Sequence, residues 1–369
     1  MIGSSPLGKR PVIAQWAVLL ALSATLVGIA TTLRVPAALM IGPLVAATIV
    51  SVRDGRVRLP VPLFVAAQGV VGCLIGTSFP LTVFAELGRN WPLFALGVVG
   101  VIVVASTIGI VLTRAGALPG TTAIWGTSPG ASTPMILMSE AYGGDMRLVA
   151  VMQQLRITCV IAVAAVVARF WTPANGIPMA RQTSIEWFPP LHAGPLALTI
   201  TLSAGGALLA ARLRIPAGPM LIPLIAGILV RETGWLSPEL PPWLLAVSYA
   251  LVGWTIGLRF TRSILSHAYR ALPLIIASNV VLIACCALLA GILVIAGGVD
   301  PLTAYLATSP GGADSIAIIA ASTNVDMRFV MAMQMARFVV VMVVSPPLSR
   351  MAARWAARAS SQTASARKP

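Results

Sequence analysis

A serine motif stands out in a chain that is otherwise mostly apolar. The stretch WGTSPGAST at residues 125–133 contains Gly126-Thr-Ser-Pro-Gly130, which fits the G-x-S-x-G pattern of a nucleophile elbow. A near copy, LATSPGGAD, returns at residues 306–314. The pattern suggests acyl transfer, in which an activated serine attacks a carbonyl carbon.

The residues around the motif argue against that chemistry. An elbow uses the backbone N–H of the residue after the serine to bind the oxyanion, but here that residue is Pro129, which has no N–H. The chain offers only His192 and His267 as imidazole bases, and the second copy begins with Ala307 where the pattern needs glycine. We therefore expect no serine catalysis and predict that the protein is not an enzyme.

Composition defines the class of protein. Of the 369 residues, 58% are hydrophobic and 9% are charged, a balance that is not typical of a water-soluble domain. The net charge of +15 lies mostly at the ends of apolar runs, where it sets membrane topology instead of binding nucleic acid. A helix needs about 20 apolar residues to cross a bilayer. We predict ten crossings, at residues 12–33, 36–52, 61–79, 92–113, 146–170, 193–211, 216–230, 241–260, 271–297 and 327–349.

The second half of the chain repeats the first. Superposing the two halves takes an offset of 180 residues near the start and 181 from then on. Many polar and glycine matches in one register indicate an internal duplication. The matches pair Arg34 with Arg214, Pro43 with Pro223, Gly72 with Gly253, Gly76 with Gly257, Thr127-Ser-Pro-Gly130 with Thr308-Ser-Pro-Gly311, Asp145-Met-Arg147 with Asp326-Met-Arg328, Gln153 with Gln334, and Arg156 with Arg337.

Two orientations of the repeats are open. If the segment around each Ser-Pro-Gly crosses the bilayer, both repeats point the same way, and if it is re-entrant, the second repeat is inverted. Arginine placement favours inversion, because the parallel arrangement puts Arg259, Arg262 and Arg270 outside, against the positive-inside rule.

The sequence thus predicts an all-α polytopic membrane protein. It consists of two inverted repeats of about five transmembrane helices each, plus a broken or re-entrant Ser-Pro-Gly segment in each repeat. The predicted divisions are repeat 1 at 1–170, an inter-repeat linker at 171–192, repeat 2 at 193–349 and a basic, disordered tail at 350–369.

Each Ser-Pro-Gly is a natural break in a helix. Proline cannot donate a backbone hydrogen bond, and non-helical backbone at membrane depth must line a cavity or be buried in protein. We therefore expect two half-helix ends to meet near the midplane and contact a solute. The predicted substrate-binding residues of the two breaks are Ser128, Gly130, Ser132, Ser309, Gly311 and Ser315.

Two arginines at equivalent repeat positions suggest a shared site. Arg156 and Arg337 each lie well inside a closing helix, about 15 Å deep in the bilayer. A charge at that depth costs at least about 2.5 kcal/mol and tends to mark a transport pathway or a buried partner. With Gln153 and Gln334, three positions earlier, these arginines are predicted to bind the solute. A purely structural ion pair is the alternative.

Asp314 breaks the symmetry, because the equivalent residue of the first repeat is Thr133. A lone carboxylate just after a helix break can bind a cation, carry a transported proton or neutralise an arginine. We predict that Asp314 is the coupling group. In the structural alternative, Asp314 or Glu140 pairs with one of the arginines.

Asp145 and Asp326 each precede a helix by one residue. An aspartate there accepts hydrogen bonds from free backbone N–H groups at the positive end of the helix. We predict that both are helix caps, and that Arg147 and Arg328 in the first turn extend to the membrane interface.

At the paired signature TSPG…DMR…MQ…R, duplicated over nearly the whole chain, the sequence resembles the AbrB-type duplicated membrane family of bacteria. That family carries two inherited names, ammonia monooxygenase and AbrB transition-state regulator. Its architecture is similar to that of sodium/proton antiporters and bile-acid symporters, an analogy of fold alone.

The residues support neither inherited name directly. A copper monooxygenase needs imidazole-rich ligation, which two histidines cannot supply. Direct DNA binding needs a soluble basic module, and the linker and tail are too short to fold as one. We expect no metal, no cofactor and no direct nucleic-acid partner.

We predict a secondary transporter or exporter of a small anionic or zwitterionic solute, ion- or proton-coupled, since the chain has no P-loop for ATP. The expected location is the bacterial inner membrane, with several crossings and both termini cytoplasmic. The expected partners are the solute and the lipid bilayer, with a homodimer left open. The alternative is a membrane-embedded regulator or sensor that acts indirectly on gene expression, and a membrane enzyme ranks third.

Overall fold

Helices dominate the protein. The computed structural model describes residues 10–33, 35, 37–77, 88, 91–129, 135–136, 139, 142–171, 187–213, 218–233, 238–262, 266, 268–337, 340–341 and 344, without the side chain of Asp314. These ranges contain no β-strand. The helices are α1 (Val12–Thr32), α2 (Ala38–Val52), α3 (Val61–Thr77), α4 (Trp91–Arg114), α5 (Thr122–Thr127), α6 (Met146–Trp171), α7 (Ala193–Arg212, with a π-helical turn at Thr201–Gly205), α8 (Gly218–Thr233), α9 (Pro242–Gly257), α10 (Leu272–Gly297), α11 (Pro301–Thr308), α12 (Ala313–Ala321) and α13 (327–337).

The helices coincide with the apolar segments of the sequence. Five of them, α1, α4, α6, α7 and α10, are long and apolar enough to span a membrane, and α2, α3 and α9 are shorter apolar helices. In lipid, a helix satisfies every backbone polar group internally, so apolar runs of this length fold as helices. The prediction of an all-α membrane protein is confirmed at the level of class.

The chain divides into two compact units. Unit 1 comprises Met1–Asn90, Ile161–Arg262 and Ala313–Met331, and unit 2 comprises Trp91–Val160, Ser263–Gly312 and Ala332–Pro369. Unit 1 therefore holds α1–α3, α7–α9 and α12, while unit 2 holds α4, α5, α10 and α11. Each unit draws helices from both halves of the sequence.

Glycines set the helix contacts of unit 1. A Cβ on Gly72 of α3 would collide with the Met220 carbonyl oxygen of α8, and one on Gly76 would collide with that of Leu224. Small residues four positions apart let two helix backbones approach closely, which is how helices associate in lipid. The same contact pairs Gly253 with Met40 and Gly257 with Leu44, between α9 and α2.

Polar contacts join the end of α2 to the end of α9. Arg262 Nη1 lies 3.2 Å from Asp54 Oδ2, and both side chains are about one third exposed. Ser51 Oγ donates to the Leu258 carbonyl oxygen at 3.1 Å. These two helix ends therefore lie at one face of unit 1.

Two other polar contacts join a second set of helix ends in unit 1. Arg231 Nη1, at the end of α8, donates to the Thr77 carbonyl oxygen at the end of α3 over 2.8 Å. Arg169 Nε, at the end of α6, donates to the Leu33 carbonyl oxygen just after α1 over 2.9 Å.

Unit 2 is built on α4 and α10. Val101 and Ala105 of α4 form a buried cluster with Leu282, Cys286 and Leu289 of α10. The short helices α5 and α11 pack against this pair. Thr308 Oγ1 of α11 donates to the Cys286 carbonyl oxygen at 3.2 Å, which holds the end of α11 at the middle of α10.

Candidate functional site

The two Ser-Pro-Gly motifs follow short helices of unit 2. Helix α5 ends at Thr127 and α11 ends at Thr308, and the next residues, Ser128 and Ser309, have extended ψ angles of 123° and 128°. A residue before proline avoids the helical region, so each serine ends its helix. The last carbonyl oxygens of both helices are therefore left without intrahelical partners.

Asp300 caps the start of α11. Its Oδ2 accepts from the Thr303 backbone N–H at 2.9 Å and from Thr303 Oγ1 at 3.1 Å, and Pro301 follows at the first helical position. Sequence reasoning missed this cap. An Asp-Pro pair before an apolar run is the signal that identifies it.

The two predicted glutamines bind the ends of these helices in the same way. Gln153 Nε2 donates to the carbonyl oxygens of Trp125 and Ser128 at 2.8 and 3.1 Å. Gln334 Nε2 donates to those of Leu306 and Ser309 at the same two distances. Each amide thus replaces the hydrogen bonds that the helix break removes.

The two predicted arginines also bind backbone carbonyl oxygens. Arg156 Nη1 donates to Ser128 O at 2.7 Å and to Thr127 O at 3.2 Å. Arg337 Nη1 donates to Ser309 O at 2.5 Å, and its Nη2 donates to Gly311 O at 2.9 Å. The negative end of a helix dipole favours a cation, so α5 and α11 stabilise the guanidinium groups that satisfy them.

The arginines form a buried centre of positive charge. Arg156 is 1% exposed and Arg337 is 4% exposed. The two guanidinium groups lie close enough for their charges to repel each other. Among the described residues neither of them forms an ion pair. Asp314 and Glu140, the counter-ions that the sequence suggests, have side chains outside the described residues.

The start of α5 lies against the start of α6. Thr121 Oγ1 donates to the Tyr142 carbonyl oxygen at 2.9 Å, and Thr122 Oγ1 accepts from the Asp145 backbone N–H at 2.9 Å. The Trp125 ring stacks on that of Tyr142, with centroids 5.6 Å apart. The two ends of the stretch that contains the first Ser-Pro-Gly, at Thr121–Thr122 and at Tyr142–Asp145, are therefore in contact.

Asp145 and Asp326 cap helices. Asp145 Oδ1 accepts from the backbone N–H groups of Arg147 and Leu148 at 2.8 and 3.2 Å. Asp326 Oδ1 accepts from those of Arg328 and Phe329 at 3.0 and 3.2 Å. The Arg147 and Arg328 side chains are exposed.

The remaining predicted site residues are divided between the two units or fall outside the description. Ser315 is fully buried on α12, in unit 1, and Asp314 belongs to the first turn of that helix. Gly130 and Ser132 lie outside the described residues. Unit 2 therefore brings together Ser128, Gln153, Arg156, Ser309, Gly311, Gln334 and Arg337.

Sequence reasoning also missed Tyr305 and Cys286. Tyr305 is one turn before Ser309 on α11, and its side chain lies within electrostatic range of Cys286. The equivalent residues of the first repeat are Ile124 and Ala105. A comparison of apolar with polar residues between the two repeats would have identified both.

This fold and this site define an α-helical membrane protein with two short helices that end on a pair of buried arginines. A family model described as "Transition state regulatory protein AbrB" matches residues 39–353. The chain belongs to the AbrB family, which confirms the resemblance drawn from the TSPG…DMR…MQ…R signature.

Two relatives extend the comparison. An Escherichia coli (strain K12) protein named "Putative regulator AbrB" is 39% identical over 346 residues, which cover 94% of this chain and 99% of the relative. A Bacillus subtilis (strain 168) protein named "Uncharacterized protein YhjN" is 28% identical over 298 residues, which cover 77% of each chain.

Proposed function

We propose that the protein is a secondary transporter or exporter of a small anionic or zwitterionic solute. The buried pair Arg156 and Arg337 carries this proposal, since their charges repel and neither forms an ion pair among the described residues. The Nε–H groups of both arginines also lack a hydrogen-bond partner there. An anion bound between the guanidinium groups relieves the repulsion and uses these donors.

The contacts of unit 1 support inverted repeats. A parallel arrangement with a cytoplasmic N-terminus places the loop after α2 and the end of α9 on opposite sides of the membrane. Asp54 and Arg262 instead form an ion pair, and Ser51 bonds to Leu258. The bond from Arg231 to Thr77 supports inversion in the same way.

The contacts of unit 2 support a re-entrant first Ser-Pro-Gly segment. Thr121 and Thr122 at its start bond to residues 142 and 145 at its end, so the segment enters and leaves on one side. Inverted repeats with broken helices are the architecture of many secondary transporters, in which the two related halves supply inward- and outward-facing states.

Asp314 is the proposed coupling group. It stands at the start of α12, directly after the second Ser-Pro-Gly, where the first repeat has Thr133. A carboxylate at such a position takes up a proton or a cation and so links solute movement to an ion gradient.

The proposed location is the bacterial inner membrane, with both termini cytoplasmic. In the inverted arrangement the loop Arg53–Arg58 and the loop Arg259–Arg270 both lie inside, as the positive-inside rule requires. The solute and the lipid bilayer are the proposed partners, and a homodimer remains an open alternative to a monomer.

The second candidate function is a membrane-embedded regulator or sensor that binds the same solute without moving it. The family description and the name of the Escherichia coli relative favour this function. Such a protein acts on gene expression indirectly. Metal-dependent or nucleophilic catalysis is not part of either proposal.

Counterflow in proteoliposomes tests transport. Purified protein is reconstituted with a panel of unlabelled small carboxylates and amino acids inside, and uptake of the corresponding labelled compounds is followed. We expect counterflow with the wild type and none with Arg156→Ala or Arg337→Ala, while Arg147→Ala, at an exposed first-turn arginine, retains it. Normal flux in both buried-arginine variants contradicts the site, and binding without counterflow in the wild type favours the sensor.

A further inference from the structure

We infer that the second repeat supplies the ligand-binding half of this site, and that the ligand is a small carboxylate that also carries a hydroxyl or amino hydrogen-bond donor. The inference rests on the proposed function for the anionic group. It goes further by assigning different roles to two halves that have the same sequence motif.

The unused hydrogen-bonding capacity of the site is concentrated around Arg337. Within the described residues, the buried atoms without a partner include Tyr305 Oη, Ser309 Oγ, Gln334 Oε1 and Arg337 Nε. Tyr305 is 7% exposed, Ser309 is 1% exposed and Gln334 is fully buried. Buried polar atoms without a partner are rare in folded proteins and each costs about 1–3 kcal/mol.

Apart from Arg156 Nε, which also lacks a partner, the equivalent positions of the first repeat differ. Gln153 Oε1 accepts from Arg156 Nη2 at 2.7 Å, whereas Arg337 Nη2 turns to the Gly311 carbonyl oxygen and leaves Gln334 Oε1 without a donor. Ser128 has a further interaction and is only partly buried, and Tyr305 is replaced by Ile124. The two repeats share the sequence motif, but the side chains of the motif form different hydrogen bonds in each.

The first repeat retains three atoms without partners, and they do not form a matching set. They are Arg156 Nε, Trp125 Nε1 and Thr158 Oγ1. Thr158 is two residues after Arg156 and therefore points about 200° away from it around the helix. All three can donate a hydrogen bond, whereas Gln334 Oε1 can only accept one.

The residues that carry four of the free atoms of the second repeat are joined by hydrogen bonds at Ser309. The Ser309 carbonyl oxygen binds both Gln334 and Arg337, and Tyr305 lies one turn earlier on α11. Cys286 of α10 is within electrostatic range of both Arg337 and Tyr305. Helices α11 and α13 carry the free atoms, and the Ser309 carbonyl oxygen joins the two helices.

The chemistry of the group specifies its ligand. Arg337 Nε, Tyr305 Oη and Ser309 Oγ donate, which suits carboxylate oxygens. Gln334 Oε1 only accepts, and its orientation is fixed because the amide nitrogen already donates to two carbonyl oxygens. A bare dicarboxylate has no proton to offer this oxygen, so the ligand needs an O–H or N–H group.

Thermal unfolding of the full-length protein in lipid nanodiscs tests the inference, with L-malate and succinate as probes that differ by one hydroxyl. We expect malate to raise Tm at concentrations where succinate has little effect. Ser309→Ala and Tyr305→Phe each weaken malate binding about fivefold to tenfold. Thr158→Ala, which removes an unpartnered hydroxyl of the first repeat that points away from Arg156, leaves malate binding within about twofold of the wild type, and Ser128→Ala weakens it less than Ser309→Ala does.

Each outcome decides the inference. Without ligand, Tyr305→Phe and Ser309→Ala do not lower Tm, because each removes a buried hydroxyl that makes no hydrogen bond. Any of three results overturns the inference. They are equal loss of binding in Ser128→Ala and Ser309→Ala, equal binding of malate and succinate, and no binding of malate. Asymmetric binding without counterflow refutes transport alone, while counterflow that depends equally on both serines refutes this inference alone.

Discussion

Arg262 Nη1 lies 3.2 Å from Asp54 Oδ2, and the two residues are more than two hundred positions apart in the sequence. The ion pair itself contributes little to stability because both side chains are partly exposed. The contact is informative about membrane topology. A short side-chain contact joins the loop after α2 to the end of α9, and two ends on opposite sides of a bilayer cannot make it.

Sidedness of two equivalent loop positions is the first prediction. In a background without the four native cysteines, Arg58→Cys and Glu239→Cys are labelled in intact cells with a membrane-impermeant thiol reagent. Because these positions are related by the 181-residue offset, inverted repeats place them on opposite sides. We expect Glu239→Cys to label and Arg58→Cys to label only after permeabilisation. Equal labelling of both contradicts inversion.

Glycine substitutions test the helix contacts of unit 1. A Cβ on Gly72 or Gly253 meets a backbone carbonyl oxygen, which cannot move aside as a flexible side chain does. We expect Gly72→Ala and Gly253→Ala each to cost about 1–3 kcal/mol. Gly28→Ala is the control, since no atom lies within 4 Å of its Cβ. Thermal unfolding in detergent measures all three, and a Tm for Gly72→Ala no lower than that of the control contradicts the packing.

Lysine substitution tests the structural part of the arginine contacts. Arg337 reaches Ser309 O and Gly311 O with two nitrogens, and lysine has one. We expect Arg337→Lys to lower the stability by about 1–3 kcal/mol, because a buried carbonyl oxygen loses its partner. Arg147→Lys, at an exposed position, is the matched control and should leave Tm unchanged. A wild-type Tm in Arg337→Lys means that these bonds do not stabilise the break.

The Glu239 carboxylate predicts a pH effect in unit 1. Its hydrogen bonds from the His192 side chain, at 2.7 Å, and from the His192 backbone N–H lower the pKa of the Glu239 carboxyl. A pKa lowered by folding stabilises the protein above the ordinary carboxyl range, and this contribution is lost as the pH falls through the lowered value. We expect Glu239→Gln to lower Tm at pH 7 and the difference from wild type to vanish as the pH falls through the lowered pKa of the Glu239 carboxyl. A difference that does not depend on pH contradicts this assignment.

Asp300 provides a prediction for the second half-helix. Asp300→Ala removes an acceptor for the Thr303 backbone N–H, so we expect a loss of about 1 kcal/mol in the free energy of unfolding. Asp300→Asn retains a capping oxygen and should restore most of it. Chemical denaturation in detergent compares the two, and equal loss in both variants indicates that the charge, not the cap, matters.

The helices were predictable because an apolar segment in lipid must satisfy its backbone hydrogen bonds internally. Apolar runs such as 92–113 and 146–170 fold as α4 and α6 with nearly the predicted bounds. The prediction of two related arginine–glutamine pairs located the residues that meet the half-helix ends. It did not give their partners, since backbone carbonyl oxygens carry no signal in the sequence. Nor did it distinguish the free Gln334 Oε1 from the bonded Gln153 Oε1.

The sequence by itself determined that this protein is helical and membrane-embedded, that its polar residues recur at offsets of 180 and 181, and where most of its long helices lie. These properties follow from local chemistry: apolar length, proline before glycine, and charge at the ends of segments. Only the tertiary structure decided that α3 packs on α8 and α9 on α2. It also decided that Arg156 Nη2 donates to Gln153 Oε1, whereas Arg337 Nη2 donates to the Gly311 carbonyl oxygen. Close helix packing and the sharing of hydrogen bonds depend on neighbours that are far away in the chain, so no local pattern encodes them.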